Sequence, residues 1–203
     1  MLIKKHFILL LLTVLIFSCE TDNNDNNNDY NRSDILLNWV DNIINPAYDT
    51  FYNSLLSLNE NISSFNSNPN SNSLDIVSNS WLESYKIWQH IEMFDIGLAE
   101  VINYKGKMNI YPVDKDLVDE NIVMGNYDLN NNNNFDARGF PALDYMLHGL
   151  ADNNEELIDI YMTDSSYGEY LVDLINNMVY NTNLIIADWV SFRDSFIKNF
   201  TSP

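Results

Sequence analysis

The sequence predicts an all-α protein, a helical bundle. Three observations carry this. Apolar residues recur at steps of three and four through long stretches, no stretch alternates at the two-residue period of a strand, and no pair of apolar runs is joined by a hairpin turn. Of the 203 residues, 46% are hydrophobic and 13% aromatic, enough for one globular domain with its own core.

The first helical stripe comprises Leu36, Trp39, Ile43, Ala47, Phe51, Leu55, Leu58, Ile62 and Phe65. Ser33 suits its N-cap, and Pro46 should kink or restart it, because proline lacks an N–H and crowds the preceding turn. The Asn/Ser/Pro-rich stretch at 66–72 is a turn. A second helix is expected from about Ser73 to Leu98, with Leu74, Val77, Trp81, Tyr85, Trp88, Ile91 and Asp95 on one face and Gly97 loosening its end. Residues 109–114 are extended, since Pro112 keeps Tyr111 out of helical geometry, and a weak helix follows over 115–124.

The run from Asp128 to Asp136 has acids or amides at alternate positions, as a calcium loop does. Asn133 stands where that loop needs glycine, and Gly139 where it needs its closing glutamate, so the run reads as a flexible loop. Next comes a short apolar helix framed by Pro141 and Gly149, carrying Leu143, Tyr145, Met146 and Leu147. It bears one acid, Asp144, and His148 falls on the same face. The acidic segment 152–166 is partly helical. A last long helix, 169–200, has the stripe Leu171, Leu174, Met178, Thr182, Ile185, Trp189, Phe192 and Phe196.

The N-terminus carries different information. Residues 1–18 have the form of a signal peptide: Lys4 and Lys5, then an apolar core from Phe7 to Phe17 too short for a stable span. Ser18-Cys19 follows, as in a bacterial lipobox, and Cys19 is the chain's single cysteine. Cleavage before it would leave a diacylated thiol that anchors the protein to a membrane. Residues 19–32 read as a disordered acidic tether, and residues 33–203 as the helical domain.

The formal charge is −19, with 29 acids against 10 bases, which excludes nucleic acid as a partner. Catalysis by a nucleophile finds no support, since Cys19 is committed to lipid and no Gly-x-Ser-x-Gly or His-Glu-x-x-His motif is present. Asp144 and Glu92, on helices apolar enough to bury them in part, are candidate metal ligands, with His148 or His90 adding a nitrogen. Such a donor set suits a divalent cation or iron. The competing reading pairs Asp144 with Arg138, makes His148 a partner of its helix's C-terminal end, and leaves His90 on the surface. Trp81, Tyr85 and Trp88 read as core, with a stacking platform for a sugar or porphyrin as the alternative.

Three stretches occur in the order seen in imelysin-like lipoproteins. They are Trp81-x-x-x-Tyr85-x-x-Trp88-x-x-x-Glu92-x-Phe94-x-x-Gly97, then Asn109-Ile110-Tyr111-Pro112-Val113-Asp114, then Gly139 through Gly149. The resemblance covers most of residues 33–200. It implies two helical-bundle halves, of which this chain matches the N-terminal one, and a place in the bacterial envelope, here the outer membrane of a Gram-negative cell. It also implies a link to iron uptake, with envelope iron-uptake proteins as partners. The family's Gly-x-His-x-x-Glu motif falls on Gly139, Pro141 and Asp144. Proline cannot ligate a metal and aspartate can, so the resemblance favours binding of a metal ion or an iron-bearing ligand. An envelope metallopeptidase and a non-catalytic interaction module are the alternatives.

Overall fold

The computed structural model describes residues 31–201. The signal-peptide reading, Cys19 and the tether up to residue 30 lie outside the described residues. Arg32, assigned by sequence to the tether, instead opens the first helix.

Helix α1 (Arg32–Trp39) passes through a π-helical turn (Val40–Ile44) into α2 (Asn45–Ser67). The turn explains how the chain accommodates Pro46. Widening the helix just before the proline removes the demand for a regular bond to its missing N–H. Around that turn the predicted stripe shifts by one residue: Trp39 and Ile43 are exposed and Val40 and Ile44 are buried in their place, after which Phe51, Leu55, Leu58, Ile62 and Phe65 are buried as the spacing predicts.

Helix α3 (Ser71–Trp88) begins with a reciprocal cap: the Asn70 side chain accepts from the Ser73 N–H, and Ser73 Oγ accepts from the Asn70 N–H. It ends ten residues before the expected Leu98. Tertiary partners replace helical ones beyond Trp88: the Phe94 carbonyl accepts from the Tyr48 hydroxyl, and the Leu98 N–H donates to Asp188. Gly97, at φ +65°, supplies the left-handed backbone that reverses the chain. Two short helices follow, α4 (Leu98–Val101) and α5 (Tyr104–Met108).

The weak helix is present as α6 (Lys115–Met124), capped by the Asp114 side chain and closed by Gly125 in left-handed conformation. The asparagine run is ordered locally as a 3-10 turn (Asn132–Ala137). Asn121 donates to Asn134, and Asn134 donates to the Asp128 carbonyl, so amides satisfy one another where a calcium loop would present oxygens to an ion. The motif helix α7 (Gly139–Asp144) continues into a π-helical turn (Tyr145–Gly149), then α8 (Asn154–Thr163) and α9 (Ser165–Thr201). Helix α9 starts four residues earlier than expected, because Asp164 accepts from both the N–H and the hydroxyl of Ser166.

Helix α2 packs against α3 and α9, and the short α7 touches α3, α5 and α9. Phe51, Trp88, Tyr104 and Phe140 join these elements through ring contacts of 5.5–6.3 Å. Each such buried ring stabilises the fold by about 1.5–3 kcal/mol. The core therefore closes around the motif helix.

Candidate functional site

Gly139 fixes where the motif helix begins. Its φ is +71°, and a Cβ there would lie 2.2 Å from the Met108 carbonyl oxygen, so only glycine fits between α5 and α7. Arg138, just before it, is buried. Its Nη1 donates to the Leu129 carbonyl at 2.5 Å and its guanidinium lies 4.2 Å from the Phe135 ring centre. Burial holds its pKa below the ordinary arginine value, while Asp128 and Asp136 act to raise it. The Arg138–Asp144 pair of the competing reading is not formed.

Asp144 pairs instead with His148, one helical turn on: Oδ1 and Nδ1 are 3.0 Å apart. The other ring nitrogen of His148 lies 3.1 Å from the Ser78 hydroxyl, which ties the motif segment to α3. His148 is therefore not a partner of backbone carbonyls at the helix end. The Asp144 side chain is 54% exposed, so burial does not force a counter-charge on it as the sequence reading supposed.

The pair lies on the wall of a cavity of about 480 Å³, within the range of small-molecule sites. Trp81 and Tyr85 form one side, stacked on each other at 5.6 Å with rings 5° from parallel. The Trp81 indole N–H donates to the Phe140 carbonyl, and Phe140 meets Tyr85 edge-on at 5.2 Å. Tyr145, the first residue of the π-helical turn, also lines the cavity, and its hydroxyl donates to Asp119. Burial, with the Asp119 charge, pushes the Tyr145 phenol up to about 12. The extended segment contributes Asn109, Tyr111 and Val113, and α6 contributes Lys115.

Of the residues singled out by sequence, the structure brings Asp144 and His148 together with Trp81 and Tyr85 on one cavity, while Trp88 is core, as the spacing predicts. Glu92 sits half-buried on the turn beyond α3 and does not line the cavity; His90 is exposed. Pro141 is buried and lines the cavity with carbon alone. Lys115, Tyr145, Asn109 and Ser78 were missed. Only the extended Asn109–Asp114 stretch carried a signal that could have found one of them. Among the described residues, no group of three or more His, Cys, Asp or Glu side chains is placed to hold a metal ion.

The imelysin family model matches residues 44–203, well over half the chain. The chain belongs to the imelysin family. No curated protein matches it. A solved structure that this imelysin resembles is the "putative iron-regulated protein A precursor" of Parabacteroides distasonis ATCC 8503, at 19% identity and a TM-score of 0.67. The alignment covers 79% of this chain and 45% of the other, so the chain spans about half the length of that relative. At that identity the likeness establishes a shared imelysin-like fold.

Proposed function

We propose that this imelysin is a lipid-anchored protein of the cell envelope, in the outer membrane of a Gram-negative cell, that binds an iron-bearing ligand or metal ion in iron acquisition. The observation that carries the reading is the cavity at the family motif, where Asp144 and His148 stand 3.0 Å apart beside Trp81 and Tyr85. A carboxylate and an imidazole suit iron and divalent cations. Two side chains do not complete a coordination sphere, and a cavity of about 480 Å³ exceeds what a bare ion needs. An ion arriving with its own organic ligand fits better than a naked one. The name of the Parabacteroides protein supports the iron link.

Iron measured by elemental analysis on the full chain purified from iron-replete cells tests this. Asp144→Ala and His148→Ala should each lose most of it, while Glu92→Ala keeps it. Iron at background in the wild type, or unchanged in both cavity variants, removes the reading. The anchor has its own check: labelled palmitate should enter the wild type and be lost in Cys19→Ser, and no incorporation would refute it.

A further inference from the structure

We infer that the cavity at α7 takes a small organic cation, an alkylammonium or quaternary ammonium group, held by its aromatic walls and the carboxylate of Asp144. The inference rests on this cavity being the functional site.

The walls are the first argument. Trp81, Tyr85, Tyr111, Phe140 and Tyr145 all contribute to one space of about 480 Å³. Aromatic faces attract cations through the ring quadrupole, with about 0.5–2 kcal/mol per well-placed contact. Cavities of this kind favour a cation that sheds water cheaply, as an alkylated ammonium group does.

Charge is the second. The chain carries −19 overall, which draws cations toward any cleft. At the cavity, the Oδ2 of Asp144 accepts no hydrogen bond from the described residues; only Oδ1 is taken, by His148. The adjoining surface groove carries Asp114, Asp116 and Asp136 around Lys115, so acids outnumber the one lysine there. That lysine already shows what the site favours. Its ammonium sits 5.3 Å from the Tyr145 ring centre, a cation held over an aromatic wall of the same cavity. Within the cavity Asp144 stands against Lys115, and the acids of the adjoining groove tip the balance toward cations.

The test titrates choline against its neutral isostere 3,3-dimethyl-1-butanol, on the full chain dialysed against a chelator, by calorimetry and tryptophan fluorescence. Choline should bind saturably, with a Kd of about 1 mM or tighter, and about tenfold tighter than the alcohol. Asp144→Asn should weaken choline by about tenfold. Lys115→Gln, which removes a like charge from the wall and frees the Tyr145 ring, should tighten it. Both residues are exposed, so neither substitution threatens folding. Trp81→Leu should abolish the fluorescence change and weaken binding. Equal binding of the two probes, no saturation, or weakening by Lys115→Gln with no effect of Asp144→Asn overturns the inference. The outcomes separate from the iron reading: iron retained with no choline binding sinks only this inference, and choline bound by a chain that never holds iron sinks only the other.

Discussion

Gly139 is the residue on which the motif region depends most. Two constraints meet there: a left-handed backbone at φ +71°, and the Met108 carbonyl where a Cβ would stand. A backbone oxygen cannot rotate away as a flexible side chain can. Gly139→Ala is expected to destabilise by about 3 kcal/mol or more, or to prevent folding, read from urea unfolding against wild type. Gly168 makes a contrast, because the close atom there is the Asn66 side-chain amide, which can turn aside. The sequence marked Gly139 only through the family motif. The steric reason comes from Met108 at the end of α5, far earlier in the chain. Asp144 and His148 illustrate the other side: their spacing made them neighbours on one helical turn, and the 3.0 Å contact follows from that spacing.

Helices in this protein end where local chemistry or tertiary partners stop them, and the two cases differ in legibility. Asp114 and Gly125 bound α6 by local rules, so sequence placed Lys115–Met124 correctly. The cap at Asn70 is also local. Asn70→Ala removes the acceptor for the Ser73 N–H and should cost about 1 kcal/mol, measured as a shift in the urea midpoint at constant slope. The end of α3 was not legible. Apolar periodicity continues through Ile91, yet the chain turns after Trp88, because Tyr48 and Asp188 bind the backbone of the following loop from distant helices. That early end carries Glu92 away from the cavity wall, which is why a helical-face argument placed it wrongly beside Asp144.

Across the whole molecule, the core is rich in buried phenols. Tyr170 donates to the Ala137 carbonyl at 2.6 Å, just upstream of Gly139, and burial pushes its pKa up to about 12 from the ordinary 10.0. A folded-state pKa raised above the unfolded one means that the native chain holds its proton longer. The associated stability is complete below pH 10 and is lost as pH rises through about 12. Thermal melts should therefore fall over that window. Tyr170→Phe should melt lower at neutral pH, since the Ala137 carbonyl loses its donor, but its alkaline decline should be shallower. Tyr48, Tyr104 and Tyr161 are raised as well, so the slope should flatten rather than vanish. A slope identical to wild type would show that Tyr170 does not take part.

By itself the sequence determined the fold class, the long helices and the family. Apolar periodicity, caps and turn residues are local properties, and a short-range code suffices to write them. Helical spacing also put Asp144 and His148 on one face, and Trp81 and Tyr85 on another. The tertiary structure alone decided that these two features meet on the wall of one cavity, where the His148 ring packs edge-on to Trp81 at 5.6 Å. It decided too that Arg138 turns away from Asp144 toward Leu129 and Phe135, and that Lys115 and Tyr145 complete the walls. The physical reason is that each of these depends on how α7 is wedged among α3, α5 and α9, a packing set by residues far apart in the chain.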